Sequence, residues 1–156
     1  MKKKILITGV GGFIGFHLCK KLLLNEEYEV IGYDNLNTYY DPILKNDRIC
    51  ELNKISNYLN KKWIFIKGDL ENKQQLDELF SDHKPQIVVN LAAQAGVRYS
   101  LVDPYSYIDS NVMGQLNMLE IAKELEVKKF IYASSSSVYG GNKDLPFSTK
   151  QRVDHP

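Results

Sequence analysis

Five short apolar segments alternate along the chain with longer segments of helical period. The apolar segments cover residues 4–8, 28–34, 63–69, 86–92 and 129–135, and the helical patterns cover 13–26, 42–60, 72–82 and 104–126. The apolar segments are rich in Ile and Val without strict alternation, which is typical of strands buried on both faces of a parallel sheet. In the last helix, we expect the core face to consist of the apolar residues that recur every three or four positions: Ile108, Val112, Leu116, Leu119 and Ala122.

The alternation of strand and helix predicts an α/β fold, a doubly wound parallel sheet with right-handed crossovers. We expect the strand order 3-2-1-4-5 and a ligand crevice between the first and fourth strands, beyond their carboxyl ends. Asp103 followed by Pro104 has the pattern of a helix cap and first turn. Residues 140–156 carry turn residues and charges without an element of their own, and residues 1–156 are assigned to one domain.

Composition narrows the range of partners. The formal net charge is +1 and 25% of the residues are charged, so the balance favours neither nucleic acid nor an anionic membrane surface. No segment approaches the roughly 18 continuous apolar residues of a membrane span. Cys19 and Cys50 are the only cysteines and lie far apart, which predicts reduced thiols, no metal site and, as a default, a cytoplasmic location.

The segment KILITGVGGFIG joins the first strand to the first helix. Gly9, Gly12 and Gly15 have the spacing G-x-x-G-x-x-G, a variant of the dinucleotide fingerprint G-x-G-x-x-G. Glycines allow a tight turn and close approach to a pyrophosphate, and the helix N-terminus offers free N–H groups to its oxygens. A glycine-rich turn without a ligand is the alternative. The strand before the turn and the helix after it favour a nucleotide site in a Rossmann-like domain.

Acidic residues lie at the ends of the second and third predicted strands. Asp34 can accept hydrogen bonds from both ribose hydroxyls of an adenosine and would repel a 2′-phosphate, which favours NAD over NADP. The alternative for Asp34 is a strand-end aspartate that caps a turn with Asn35. Asp69 and Leu70, in the segment KGDL, lie at the same edge of the sheet and could hold the adenine amino group and ring.

Several motifs in one order give the sequence a family resemblance. TGVGGFIG, Asp34, GDL, NLAAQAGVRYS and YASSSSVYG resemble the extended short-chain dehydrogenase/reductases, the NAD-dependent sugar epimerase and dehydratase family. YDNLNTYYDPILK and LAAQAGVRYSLVDPYSYIDSN are similar to UDP-glucuronate 4-epimerases of capsule and cell-wall pathways. The resemblance implies NAD as cofactor, a UDP-sugar substrate and reversible oxidation at carbon 4, and it allows a homodimer.

The resemblance also assigns residues to the cofactor. These are Phe13 and Ile14 with the glycine turn at the pyrophosphate, Asp34 and Asn35 at the ribose, Asp69 and Leu70 at the adenine, Leu91, Ala92, Ala93 and Gln94 on the far side, and Asn111 on the following helix. Small residues at 92 and 93 also make sense on their own, because bulk there would close the crevice. Without the resemblance, Asn111 is as well explained as a helix-surface amide.

Four serines follow the fifth predicted strand. In the family that the sequence resembles, the hydroxyl residue three positions before the valine of V-Y-G donates a hydrogen bond to the reacting sugar oxygen. The resemblance assigns this position to Ser135. Ser134, Ser136 and Ser137 would satisfy backbone groups or bind cofactor and sugar; serines that only end a strand are the alternative. Arg98 is a candidate for an anionic substrate group, with a solvated loop arginine as the alternative.

The catalytic base of the family is a tyrosine with a lysine four residues later on the same helix. Tyr58 with Lys62 precedes the third strand, at the wrong end of the site, and Tyr139 with Lys143 spans two glycines. We therefore expect the sequence to be truncated before the catalytic pair and the sugar-binding lobe, and the chain alone to be inactive. Two readings remain: part of a UDP-sugar 4-epimerase or a related dehydratase, or a non-catalytic NAD-binding regulatory module.

Overall fold

The computed structural model describes residues 2–154. The strands are β1 (Lys3–Thr8), β2 (Tyr28–Asp34), β3 (Trp63–Lys67), β4 (Ile87–Asn90) and β5 (Lys129–Tyr132). The helices are α1 (Phe13–Leu23), α2 (Pro42–Leu59), α3 (Lys73–His83), α4 (Tyr105–Tyr107) and α5 (Gly114–Glu124), and the π-helical segment Ile108–Met113 joins the last two. The strands form one parallel sheet in the order β3-β2-β1-β4-β5, so the predicted fold class and strand order are confirmed.

The central strand β1 is apolar on both faces because helices cover both sides of the sheet. Ile5 and Ile7 share one hydrophobic cluster with Cys19 of α1 and Leu52 of α2. Leu6 points to the other side, where its cluster includes residues of α3 and α5. Each fully buried aliphatic side chain contributes about 1.5–3 kcal/mol relative to its exposed state, so these two layers hold the strand ends in fixed positions.

Helix starts follow the capping residues in the sequence. The Asp41 carboxylate accepts a hydrogen bond from the Ile43 amide at 2.8 Å, and Pro42 begins α2. Asn72 caps α3 in the same way. Asp103 accepts from the Ser106 amide at 3.3 Å, but the cap position of α4 is Pro104, one residue later than predicted. Each cap satisfies an amide that the helix cannot satisfy itself.

The predicted core face of the last helix is wrong for four of its five residues. Exposed fractions are 52% for Ile108, 54% for Val112, 49% for Leu116 and 43% for Leu119, and only Ala122 is buried. The buried face consists of Gly114, Asn117, Met118, Ile121 and Ala122. The pattern of apolar residues did not indicate this face, because a glycine and an asparagine occupy two of its inward positions.

Three predicted strands end early, and the helix 104–126 is not uniform. The strands expected to reach residues 69, 92 and 135 end at Lys67, Asn90 and Tyr132, and their last residues belong to loops. The π-helical segment and the 3-10 turns Val97–Leu101 and Ser136–Tyr139 were not predicted. Residues 140–154 contain no helix or strand, as expected. No helix among residues 2–154 has the length and apolarity to cross a membrane.

Candidate functional site

A crevice lies at the carboxyl ends of the strands, where the loops after β1, β2, β3 and β4 meet. The predicted cofactor residues that line it are Gly9, Gly12, Asp34, Asn35, Asp69, Leu70, Leu91, Ala92, Ala93 and Gln94. β1 and β4 are neighbours, and the crevice lies beyond their carboxyl ends as the strand order requires. The geometry therefore gathers most of the residues expected at a dinucleotide into one place.

The glycine turn after β1 depends on close backbone approach. Gly9 has φ +74°, and a Cβ there would lie 2.8 Å from the amide nitrogen of Ala92. A Cβ on Gly15 would lie 2.2 Å from the carbonyl oxygen of Gly9. Gly9 thus lets β1 approach the loop after β4, and Gly15 lets α1 start directly behind the turn.

The N-terminus of α1 is open to a ligand. Gly12 occupies the cap position, and no side chain within residues 2–154 caps the helix, unlike the starts of α2 and α3. Its first turn, which includes Phe13 and Ile14, contains no acidic residue. First-turn amides have no intrahelical acceptor and the helix dipole is positive here, so the end suits an anionic group.

The Asp34 carboxylate is fixed between two loops. One oxygen accepts from the Gly11 amide at 2.9 Å and the other from the Leu36 amide at 2.8 Å. Asp34 therefore does cap a turn, as its alternative explanation proposed. A carboxylate has about four acceptor sites, and these bonds occupy two of them. The remaining acceptor capacity leaves the predicted ribose contact chemically possible.

The loop after β3 is tied to the end of β2. Asn35 donates to the Asp69 carboxylate at 2.6 Å, and the Tyr33 hydroxyl donates to the Asp69 carbonyl oxygen at 3.0 Å. Burial, with a smaller contribution from the Asp69 charge, raises the pKa of Tyr33, which therefore keeps its proton as a donor. Leu70 is buried. Burial and the charges of Asp109 and Asp69 raise the pKa of Glu71 at the rim.

The opposite wall is fixed through Thr8 and Asn90. The Thr8 hydroxyl donates to the Asn90 side-chain oxygen and accepts from the amides of Leu91 and Ala92, both at 3.1 Å. Asn90 also donates to the side-chain oxygen of Gln115 at 2.6 Å. This network joins β1, β4 and α5, so the loop that begins at Leu91 leaves the sheet in a defined direction.

Asn111 acts on the crevice through Gln94. Its side-chain oxygen accepts from the Gln94 amide at 2.8 Å, and its amide nitrogen donates to the Gln94 carbonyl oxygen at 3.0 Å. Asn111 lies in the π-helical segment, whose wider turn brings it to the loop after β4. It is therefore a positioning residue for the crevice wall, and direct contact with the cofactor stays a prediction.

The remaining predicted residues do not line the crevice. All four serines after β5 are exposed, and the Ser135 hydroxyl accepts from the Ser137 amide at 3.2 Å as the cap of the 3-10 turn. Arg98 is exposed on the turn Val97–Leu101, and within the described chain neither it nor the serines line the crevice. Phe13 and Ile14 project from α1 with 68% and 64% of their surface exposed.

Neither Y-x-x-x-K match stands on one helix. Tyr58 lies near the end of α2 with 89% of its surface exposed, and Lys62 lies beyond the helix. Tyr139 ends a 3-10 turn, stacks on Phe147 at 4.5 Å between ring centroids, and precedes Lys143 in a loop. Neither tyrosine is held beside its lysine in the geometry that the chemistry requires.

Further crevice residues were missed by sequence reasoning: Tyr33, Asn37, Tyr39, Tyr40, Lys45, Gly68, Glu71 and Ser110. Asn37 and the two tyrosines follow Asp34 in the loop after a strand, the place where binding residues concentrate in this fold, and that position was a usable signal. Lys45 is buried although it is a lysine near a helix start. No sequence pattern indicated that its ammonium group turns inward.

The sheet order, the open end of α1 and Asp34 at the end of β2 define a doubly wound α/β protein of the dinucleotide-binding class. The chain belongs to the GDP-mannose 4,6 dehydratase family, whose profile matches residues 6–156.

Three relatives illustrate the position of the chain in this family. Protein CapI of Staphylococcus aureus is 51% identical over 98% of the chain, and a UDP-glucuronate 4-epimerase of Thermodesulfobacterium geofontis is 44% identical over 97%. A crystal structure of a mutant UDP-glucuronic acid 4-epimerase from Bacillus cereus, in complex with UDP-4-deoxy-4-fluoro-glucuronic acid and NAD, matches with a TM-score of 0.77 and 37% identity over 94% of the chain. The chain spans only 44%, 45% and 44% of these three proteins, respectively.

Proposed function

We propose that this chain is the NAD-binding part of a UDP-sugar 4-epimerase whose substrate is UDP-glucuronate. The observation that carries the proposal is the open N-terminus of α1 beside Asp34, in a crevice at the switch point of the sheet. The names of the relatives support UDP-glucuronate as the substrate. One relative is a UDP-glucuronate 4-epimerase, and the Bacillus cereus enzyme was crystallised with a UDP-glucuronic acid analogue.

The residues of the crevice fit the parts of the dinucleotide. The first-turn amides of α1 and the glycine turn would hold the diphosphate, and Asp34 with Asn35 would hold the adenosine ribose. Asp69 and Leu70 would contact the adenine, and the small residues after β4 leave room for the other nucleoside. Bound there, NAD would supply a hydride acceptor for oxidation at carbon 4 and the hydride that reduces the keto-sugar again.

The serines after β5 would act on the sugar. In this proposal Ser135 donates a hydrogen bond to the oxygen at carbon 4 as that oxygen becomes a carbonyl, and so favours the oxidised state. Ser134 contacts the cofactor, and Ser136 and Ser137 contact the sugar. Arg98 carries the one positive charge proposed to pair with an anionic group of the substrate.

A sugar 4,6-dehydratase is the second candidate, because the family itself is described by such an enzyme. Elimination of water needs an additional acid and base, which we expect directly after the hydroxyl residue. These positions are Ser136 and Ser137 here, and neither hydroxyl is suited to that role at neutral pH. For the whole enzyme of which this chain is proposed to be a part, a panel of UDP- and GDP-sugars, assayed for epimerised and for 4-keto-6-deoxy products, separates the two reactions.

The chain alone is proposed to bind NAD without turnover, since no described helix carries tyrosine and lysine at i and i+4 beside the crevice. Turnover of UDP-glucuronate by residues 1–156 would contradict this part of the proposal. The proposal also includes a cytoplasmic location and assembly of the protein into a homodimer.

Titration calorimetry with NAD and NADP tests the cofactor assignment. The wild-type chain should bind NAD more tightly than NADP, and Asp34→Asn should weaken NAD binding by about 10- to 150-fold, because a hydrogen bond to a charged group contributes about 1.5–3 kcal/mol. The same variant should also reduce the preference for NAD over NADP, because the neutral amide at position 34 no longer repels the 2′-phosphate of NADP. Asp82→Asn, at an exposed position of α3, is the matched control. Absence of NAD binding by the wild-type chain would overturn the proposed function.

A further inference from the structure

Two loops meet above the glycine turn. Residues 35–41 follow β2 and residues 91–101 follow β4. β1 lies between these two strands in the sheet, so any contact between the two loops crosses over the turn after β1. A dinucleotide whose diphosphate rests on that turn would have to lie beneath such a contact.

Tyr39 and Tyr99 make this contact. Their ring centroids are 4.7 Å apart with an angle of 52° between the planes. The Tyr39 hydroxyl occupies the space of a side chain at Gly96, where a Cβ would lie only 2.2 Å from it. Gly96 has φ +88°, so both its conformation and its missing side chain admit the tyrosine.

Both ends of the contact are anchored in helices. On the β4 side, the Tyr107 hydroxyl of α4 donates to the carbonyl oxygens of Gly96 and Ala95. On the β2 side, the side-chain oxygen of Asn37 accepts from the Tyr39 amide at 3.3 Å.

The anchor on the β2 side reaches into α2 through Lys45. Its ammonium group donates to the carbonyl oxygen of Asn37 at 2.9 Å and to the Asn37 side-chain oxygen at 2.7 Å. Lys45 is 8% exposed. A lysine is almost never buried without partners, so its burial indicates that the loop is held in a defined position.

We propose that the Tyr39–Tyr99 pair is a clasp that retains the dinucleotide, which must open before NAD enters or leaves. The inference rests on the proposed function, because it takes NAD as the ligand of the crevice. Tyr39 and Tyr40 line the crevice together with Gly9 and Gly12, so the clasp and the diphosphate site share one space. A clasp acts on the rates of exchange more than on the affinity, since opening it accelerates both entry and exit.

The test measures the NAD dissociation rate by stopped-flow displacement with a fluorescent etheno analogue. Tyr99→Ala removes the ring pair, and Gly96→Ala displaces Tyr39 while both rings remain. Either variant should raise the dissociation rate by about 2- to 12-fold, the factor that corresponds to the coupling free energy of an aromatic pair. The equilibrium constant should change less than the dissociation rate. Tyr99→Phe keeps the ring, and Tyr58→Ala removes an exposed ring elsewhere; both should exchange NAD at the wild-type rate.

The outcomes separate the clasp from the proposed function. If the wild-type chain does not bind NAD, the proposed function fails and the clasp fails with it. If NAD binds but Tyr99→Ala and Gly96→Ala release it at the wild-type rate, only the clasp is refuted. Hydrogen exchange without nucleotide provides a second readout. Faster exchange of amides in both 36–40 and 95–99 in Tyr99→Ala supports a clasp that joins the two loops, and unchanged exchange in the loop after β2 overturns it.

Discussion

Gly15 lies inside α1, where alanine would ordinarily stabilise the helix by about 1 kcal/mol relative to glycine. The structure predicts the opposite sign at this position. A Cβ on Gly15 would lie 2.2 Å from the Gly9 carbonyl oxygen, 2.8 Å from the Gly9 carbonyl carbon and 2.9 Å from the Val10 Cα. All three atoms are backbone, so no flexible side chain can move aside.

Overpacking of a tight site costs about 1–3 kcal/mol, and rigid backbone neighbours place this site at the upper end. After subtraction of the helix gain, Gly15→Ala should lower the free energy of unfolding by about 2 kcal/mol. For a chain of this length, that corresponds to a fall in Tm of about 4–8 °C.

Urea unfolding followed by circular dichroism measures the change in the free energy of unfolding. Gly141→Ala is the matched control, because a Cβ there meets nothing within 4 Å. If Gly15→Ala is as stable as the wild type or more stable, the close packing of α1 on the turn is refuted.

Three further predictions concern the core and the surface. Thr8→Val should lower the free energy of unfolding, measured in urea, by about 2–6 kcal/mol, because each of the Leu91 and Ala92 amides left without its acceptor costs about 1–3 kcal/mol. The exposed Thr149→Val should have no effect, and equal stability of the two variants would contradict the role of Thr8. Burial raises the pKa of the Cys19 thiol from 9.0 to about 12, so the fold keeps a proton that the unfolded chain loses. The stabilisation that comes from this raised pKa is complete below pH 9. The free energy of unfolding of the wild type, relative to that of Cys19→Ala, should therefore fall by up to about 4 kcal/mol between pH 9 and 12. A difference in unfolding free energy that does not change with pH would refute the raised pKa. The wild-type chain should associate at high concentration in light scattering through its exposed apolar residues, and the double variant Leu116→Glu, Leu119→Glu should associate less; a monomeric wild type would contradict this.

The sheet was predictable because its signals are local and redundant. Each strand is a short apolar segment rich in branched residues, and the helices between them force parallel crossovers. The glycine spacing and the acid at the end of β2 then point to the same edge of the sheet. These features agree with one another, so an error in any one strand boundary does not change the order of the strands.

The face of α5 could not be predicted from its apolar residues, because polar contacts decide which side is buried. The Asn117 side chain donates to the carbonyl oxygens of Leu70 at 2.9 Å and Glu71 at 3.1 Å, so a polar residue occupies the centre of the inward face. Gly114 also faces inward, because a Cβ there would lie 2.6 Å from the Cβ of Leu70. Both residues depend on the position of the loop after β3, which no sequence periodicity of the helix encodes.

Long-range contacts explain why the rest of the site was missed as well. Tyr39 follows β2 and Tyr99 follows β4, and their contact depends on the strand order, which places β2 and β4 on either side of β1. Lys45 of α2 supports this contact through Asn37. The two halves of the proposed site also differ in how they are supported. Cofactor residues are fixed by bonds from neighbouring strands and loops, whereas among residues 2–154 the Ser135 hydroxyl bonds only within its own turn. Nucleotide binding should therefore be a property of the crevice as it stands, while the orientation of Ser135 toward a sugar depends on contacts that substrate or other parts of an active enzyme would supply.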